Sequence, residues 1–290
     1  MSGSNLHTAW ARLFLRALAS AGVRDVVLSP GSRSTPLALA AAESEELRCH
    51  VIVDERAAGF FALGQARASG RPSLLICTSG TAGAHYFPAI IEASQSFLPL
   101  IVVTADRPWE LQGAAAPQTI DQIKLFGGYV RSFSDLGLPD PSPVALRAVA
   151  RLAAQAVLRS TSPEPGPVHV NARFRKPLEP VDAGPEPWEA AWSALLEKGA
   201  PAAPIPRITP DPGAISELVE RCSRAERGLI VCGPHLPPGK SFDVKQYQRT
   251  IAALARAARL PILAEATSQA RFGVSPEITS IAAFDALLRD

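Results

Sequence analysis

The chain has no apolar run long enough to cross a bilayer, almost no charge imbalance, and no cysteine spacing that points to a metal site or a disulfide framework. Its longest apolar stretches are strand-length, such as Leu98 to Val103 interrupted by Pro99, whereas a spanning helix needs about 20 apolar residues. Basic residues number 29 and acidic residues 27, so nucleic acid and anionic membrane surfaces are not expected partners. The four cysteines, Cys49, Cys77, Cys222 and Cys232, include no CxxC pair. Cys77 and Cys232 lie in apolar strand contexts, so buried free thiols are expected. Met1 to Ala9 lacks the charged-then-apolar pattern of a secretory signal, and a cytoplasmic location is expected. The chain also lacks a GxGxxG fingerprint, a Walker A loop and a GxSxG elbow, which leaves phosphate-cradle and serine-hydrolase readings without support.

What is present is a repeating strand-and-helix pattern. With 47% hydrophobic and 19% charged residues the composition is that of a globular chain, and 290 residues allow one large or two ordinary domains. Asn5 to Ala21 has helical periodicity and ends at Gly22. Asp25 to Leu28 reads as a buried strand, Thr35 to Ser44 as a helix and Cys49 to Val53 as an apolar strand. Helix Glu55 to Ala68, strand Ser73 to Cys77, helix Ala82 to Ser94 and strand Leu98 to Val103 follow. Helix Pro143 to Arg159 and strand Pro167 to Asn171 complete the series. Continuous apolar strands alternating with helices predict an α/β fold, a doubly wound parallel sheet covered on both faces.

Residues 181–210, rich in Pro, Ala and Glu, read as a linker, with Trp188 and Trp192 forming a packing stripe on a short helix. A second series runs through 211–290: helix Gly213 to Ala225, strand Gly228 to Cys232, helix Asp243 to Arg259, strand Pro261 to Glu265 and helix Ile281 to Leu288. Two clear strands are too few for a doubly wound domain, so a truncated chain or one part of a split protein is expected.

Three consecutive strands end in turns rich in Gly, Ser and charge: Ser29-Pro30-Gly31-Ser32-Arg33-Ser34, Asp54-Glu55-Arg56 and Thr78-Ser79-Gly80-Thr81-Ala82-Gly83. In an open parallel sheet such turns gather at one edge, where ligands bind. Glu55 reads either as a partner of the helix dipole or, behind an apolar strand, as a desolvated carboxylate able to exchange a proton with a heterocyclic nitrogen. Arg33 and Arg107 both follow strand ends. They suit a substrate with more than one carboxylate, or else form surface salt bridges to Asp106 or Asp54. Ser32, Ser34 and Thr35 add hydroxyls at a helix start. Gln118 reads as a loop residue or a polar contact, and His85 and His169, without partners at metal spacing, read as structural.

Together S-P-G-S-R-S-T-P-L, D-E-R-A-A-G-F-F-A-L-G, T-S-G-T-A and T-A-D-R-P resemble the amino-terminal half of the 2-succinyl-5-enolpyruvyl-6-hydroxy-3-cyclohexene-1-carboxylate synthases, a thiamine diphosphate family of menaquinone biosynthesis. The resemblance covers residues 5 to 180. The first and last blocks are specific to these synthases, and the other two are shared by thiamine diphosphate decarboxylases at large. It implies a pyrimidine-binding domain over 1–180 and an incomplete, Rossmann-like central domain over 211–290. It also implies thiamine diphosphate with Mg2+ or Mn2+ as cofactors, and 2-oxoglutarate and isochorismate as substrates.

In the residues, the resemblance implies that Glu55 hydrogen-bonds the aminopyrimidine ring and activates the cofactor. Gly31 and Thr78, Ser79, Gly80 and Thr81 would line the pyrimidine end. Ser32, Arg33, Arg107 and Gln118 would contact the substrates. The family's Gly-Asp-Gly motif, which holds metal and diphosphate from a carboxyl-terminal domain, occurs nowhere in the 290 residues. A shared active site with a second subunit, as a homodimer or homotetramer, is therefore expected, with this chain inactive alone and prone to self-association. The competing expectations are another thiamine diphosphate enzyme for a 2-oxoacid, or a non-catalytic module of the same fold.

Overall fold

A computed structural model describes residues 6–181, 187–198, 204, 206, 208–234, 243–272, 278–287 and 289. The chain divides into two units, Met1–Pro206 and Arg207–Asp290.

In the first unit, helix α1 (Leu6–Ser20) buries Trp10, Leu13, Phe14, Ala17 and Leu18, the face that its periodicity predicts. It ends where Gly22 adopts φ +122°, with Val23 N–H bonded to Leu18 O and Gly22 N–H to Ala19 O, the paired closure that favours glycine. Strands β1 (Asp25–Leu28), β2 (Arg48–Val51), β3 (Ser73–Cys77), β4 (Leu100–Asp106), β5 (Phe133–Asp135) and β6 (Pro167–Arg173) form one sheet in the order β2-β1-β3-β4-β6-β5, every pair parallel. Helices α2 (Thr35–Ala42) and α5 (Pro143–Thr161) join α1 on one face. Helices α3 (Glu55–Ser69) and α4 (Phe87–Gln95) pack together and against β1, β3, β4 or β6. Because β2 lies to one side of β1 and β3 to the other, the order reverses between β1 and β3. A reversal of this kind is where open parallel sheets offer a crevice, at the carboxyl ends of the strands.

Burial explains why most strands are legible as apolar runs. Every residue of β1, β3, β4 and β6 is buried. The strand read at Cys49 to Val53 is instead Arg48–Val51 at the sheet edge, and Val51 and Val53 are 63% and 79% exposed. An edge strand has a neighbour on one side only, so apolar residues there need not be covered. Residues Gly80–Tyr86 form 3-10 turns, so the helix read from Ala82 begins later. Pro88 lacks the N–H that would bond Ala84, and the α-helix starts afresh at Phe87. Cys77 is buried as expected, whereas Cys49 is exposed.

Helix α6 (Glu189–Lys198) packs on α5, and Trp192 lies half-buried against the core with its indole N–H donating to Ala9 O at 3.2 Å. The linker reading of 181–210 falls partly outside the described residues, as do the helix ends at Asn5 and Leu288.

The second unit holds β7 (Ile230–Cys232), β8 (Ile262–Ala264) and β9 (Ser280–Ile281), parallel and in that order, with α7 (Pro212–Arg224), α8 (Val244–Ala258) and α9 (Phe284–Leu287). Ile281, read as helical, pairs with Leu263 in the third strand, and the last helix begins at Phe284. A small core joins Cys232, Ala255, Ile262, Ala264 and Ala270.

Candidate functional site

The crevice between β1 and β3 is bounded by the first and third turns. Gly31 lies so close to Thr78 that a Cβ there would overlap the threonine side chain, and the Arg33 N–H donates to Thr78 Oγ1 at 3.2 Å. Close approach of the Thr78 side chain to the backbone at 31 is what requires glycine there. Gly80 adopts φ +86°. Its neighbour Ser79 is tied to the loop after β4 by two bonds: Ser79 Oγ donates to Gln118 O, and Gln118 Nε2 donates to Ser79 O, both at 3.2 Å. Gln118 itself has φ +58°, a left-handed conformation that costs a non-glycine residue on the order of 1 kcal/mol and that these bonds help to hold. The loop returns to Arg107, whose Nη2 reaches Pro117 O at 3.2 Å and Gln118 Oε1 at 3.5 Å. Gly31, Arg33, Thr78, Ser79, Gly80, Arg107 and Gln118 are thus brought into one contiguous edge. Ser32 and Thr81 stand exposed beside it.

Arg33 is 3% exposed; its Nη1 donates to Phe174 O at 2.6 Å, and its Nε has no partner among the described residues. Arg107 Nε is likewise buried without a partner. Among the described residues neither guanidinium joins an ion pair. The carboxylates that could have neutralised them are taken: Asp54 binds Arg56 at 2.6 Å and Asp106 binds Arg173 at 2.9 Å. The salt-bridge reading of these arginines is thereby removed. Burial, with the positive charge of Arg107 adding to it, brings the Arg33 pKa down to about 10, and Asp106 offsets part of the shift. Two cations that disfavour each other, with unused donors, form a place where an anion gains on both counts.

Glu55 opens α3, and Asp54 caps that helix by accepting the Arg56 N–H at 2.9 Å. The carboxylate of Asp54 is held well below the usual range by its bonds to Arg56, while Glu55 makes no hydrogen bond or ion pair among the described residues. Its charge is felt by Cys77, at the end of β3, and by Tyr86, whose pKa values rise chiefly through burial and additionally through Glu55. Glu55 is half-buried, behind an edge strand whose Val51 is exposed. Val51 and Val53 before the helix, and Phe60 and Phe61 within it, are 63%, 79%, 50% and 43% exposed.

Sequence reasoning missed the polar row beneath this edge. His169, Asn171 and Arg173 alternate along one face of β6, and β4 places Val102, Thr104 and Asp106 directly opposite them. The Thr104 hydroxyl donates to Asn171 Oδ1 at 3.0 Å and meets His169 Nε2 at 2.8 Å. Having given its only proton to Asn171, Thr104 accepts from Nε2–H, which leaves the buried His169 Nδ1 bare and without a partner. Burial lowers the His169 pKa to about 4. In the unfolded chain this imidazole takes up a proton near pH 6.5, in the folded chain only near 4. Between those values the unfolded state holds more protons and acid favours unfolding. This residue is expected to remove about 3 kcal/mol of stability between pH 7 and pH 4. His169→Leu should flatten the loss in denaturant titrations across that range; an unchanged slope would assign the acid sensitivity elsewhere.

No helix among the described residues is long and apolar enough to cross a membrane, and no group of three His, Cys, Asp or Glu residues among them could hold a metal. Residues 9–125 match the thiamine pyrophosphate enzyme, N-terminal TPP binding domain. A 2-succinyl-5-enolpyruvyl-6-hydroxy-3-cyclohexene-1-carboxylate synthase of Sorangium cellulosum is 65% identical over 291 residues, covering 100% of this chain and 47% of the relative. Synthases of the same name from Myxococcus xanthus and Geobacillus kaustophilus are each 45% identical, over 99% and 97% of this chain and 48% and 47% of their own length. The chain thus spans about half the length of the curated relatives it matches. The chain is thus similar over nearly its whole length to the amino-terminal half of the 2-succinyl-5-enolpyruvyl-6-hydroxy-3-cyclohexene-1-carboxylate synthases, and residues 9–125 to the N-terminal TPP binding domain of thiamine pyrophosphate enzymes.

Proposed function

We propose that this chain supplies the pyrimidine-side half of a thiamine diphosphate-dependent transferase site. There 2-oxoglutarate is decarboxylated and its remaining four-carbon unit is added to isochorismate, giving 2-succinyl-5-enolpyruvyl-6-hydroxy-3-cyclohexene-1-carboxylate for menaquinone synthesis. The observation that carries this reading is the pair Arg33 and Arg107, neither in an ion pair among the described residues and each with a buried, unpartnered Nε, near the Glu55 that opens α3. Both proposed substrates are carboxylates, and guanidinium forks recognise them bidentately.

The residues fit the cofactor. Glu55 has its full acceptor capacity free and stands where it can share a proton with a ring nitrogen of an aminopyrimidine. Gly31, packed against the Thr78 side chain, and the Thr78–Thr81 turn line the approach for the ring. When bound, thiamine diphosphate supplies the electron sink for decarboxylation. Ser32, Arg33, Arg107 and Gln118 orient the substrate carboxylates. Mg2+ or Mn2+ and the diphosphate are held by a carboxyl-terminal domain outside this chain, in a second, cytoplasmic subunit of a homodimer or homotetramer. The exposed apolar side chains Val51, Val53, Phe60 and Phe61, before and within α3, support a covering partner there, whose arrival would bury Glu55 further. On this reading 1–180 is the pyrimidine-binding domain and 211–290 part of a central domain.

Calorimetric titration of thiamine diphosphate with Mg2+ tests the reading, first into this chain and then with the carboxyl-terminal half of the synthase supplied. Binding and turnover are expected only in the second case. Tight binding to this chain alone would contradict a divided site. No binding in either case would favour a non-catalytic module.

A further inference from the structure

We infer that Gln122 is a positioning residue of the proposed site: it clamps the Ser79–Gly80 peptide and, through that peptide, aims Gln118 at Arg107. The inference rests on the proposed cofactor and substrate site, but its evidence is the direction of a buried hydrogen-bond chain.

The direction is fixed at one end by two carboxylates. Asn171 Nδ2 donates to Asp106 Oδ2 at 2.9 Å and to Asp135 Oδ2 at 3.1 Å. A flipped amide would set its oxygen against both carboxylates, so Asn171 Oδ1 must face inward, where it accepts from Gln122 Nε2 at 3.0 Å. Gln122 Nε2 also donates to Ala105 O at 3.3 Å. With two acceptors against its nitrogen, Gln122 cannot flip either, and its Oε1 is committed to the Gly80 N–H at 2.9 Å. The side chain is 1% exposed, so no water competes for these bonds.

The same peptide is held at its other end. Ser79 O accepts from Gln118 Nε2 at 3.2 Å, which turns Gln118 Oε1 toward Arg107 Nη2 at 3.5 Å. Gly80 can answer this clamp because its φ of +86° lies where glycine is at ease, and a Cβ at 80 would press on Gln118 Cγ at 3.0 Å. Two carboxylates on the sheet thus set, through Asn171, Gln122 and one peptide plane, the orientation of the glutamine beside the substrate-side arginine.

Gln122→Met keeps the length and removes every bond. In this chain alone, amide exchange at Gly80 is expected to quicken at least about tenfold while the core amides of β3 and β4 keep their protection. With the carboxyl-terminal half supplied, KM for 2-oxoglutarate is expected to rise and kcat/KM to fall by about 10- to 100-fold. Gln122→Asn, which keeps the amide but draws it back by one methylene, should fall between the two and serves if the methionine variant does not fold.

Thr104→Val cuts the far arm of the network and leaves all three Gln122 bonds. It should lower the melting temperature and leave KM unchanged. Unaltered Gly80 exchange and unaltered KM in Gln122→Met would overturn the inference. So would a general rise in exchange with the profile of Thr104→Val, which marks a merely structural role. If the parent protein binds no thiamine diphosphate even with its other half, the site reading fails, and Gly80 exchange then decides the clamp by itself.

Discussion

Glu55→Gln is expected to lower turnover of the assembled protein by about 10²- to 10⁴-fold, the range spanned by loss of a positioned proton-transfer group. The melting temperature should move by no more than about 2 °C. The two halves of this expectation come from one fact. Glu55 makes no hydrogen bond or ion pair among the described residues, and the structural duty at this helix start belongs to Asp54, which caps α3 and binds Arg56. Replacing the Glu55 carboxylate by an amide of the same shape therefore removes little from the fold. It does remove the ability to hold and release a proton against a ring nitrogen, since an amide offers a fixed donor and a fixed acceptor. The neighbouring substitution Asp54→Ala should show the opposite split: a lower melting temperature through the lost cap, with turnover falling only as far as the start of α3 frays. Full turnover in Glu55→Gln would remove the carboxylate from the chemistry. A large fall in melting temperature would show that the folded chain depends on a contact of Glu55.

Much of this was legible in the sequence, for a reason that also marks where legibility ends. Strands β1, β3, β4 and β6 are buried on both faces, and that burial forces continuous apolar runs that no helix or loop would tolerate at such length. The turns after β1 and β3 announce themselves because Gly31 must admit Thr78 and Gly80 must adopt positive φ. Edges carry no such compulsion. β5, the three residues Phe133 to Asp135, has a partner on one side only and was not foreseen. β2 was foreseen as buried because Val51 and Val53 are apolar, although both face outward. Apolar character alone does not make an edge residue buried, since exposed apolar side chains are common on folded surfaces.

The arginines were recognised as a pair, but their freedom was not, because it depends on where other charges go. Only the fold reveals that Arg56 occupies Asp54 and Arg173 occupies Asp106. Gln122 and Asn171 were invisible for a similar reason. A glutamine in a loop looks like any other until its two faces are seen to be committed, one to Asn171 and Ala105 and the other to Gly80. The alternation of His169, Asn171 and Arg173 was the available signal. Three polar residues on one face of a strand that is otherwise apolar must be satisfied by partners on that face.

Arg33→Met is expected to weaken affinity for 2-oxoglutarate about a hundredfold or more without lowering the melting temperature. Truncating a buried, hydrogen-bonded charge from a complex costs about 2–5 kcal/mol, which sets the size of the first effect. The second follows from what Arg33 endures when no anion is bound. Its folded pKa of about 10 lies below the ordinary 12.5, through burial first and Arg107 second. Between those two values the folded state holds fewer protons, so alkali favours folding at this residue. At neutral pH the whole cost of the buried cation is present. Methionine keeps an apolar stem in the same space and removes that cost; against it stands the loss of one hydrogen bond to Phe174 O, on the order of 1 kcal/mol. The two nearly cancel or favour the variant.

Because Arg107 contributes to the strain, the stability gained from Arg33→Met should be smaller in an Arg107→Met background, and a double-mutant cycle reads that coupling directly. Pyruvate, with a single carboxylate, should be affected much less than 2-oxoglutarate. A steep drop in melting temperature, or equal losses for the two acids, would mean that Arg33 serves the fold or the general field of the site and not the second carboxylate. Two cations that disfavour each other store, before any anion arrives, part of the energy that its binding would release. Arg33 is where that storage is expected to be measurable.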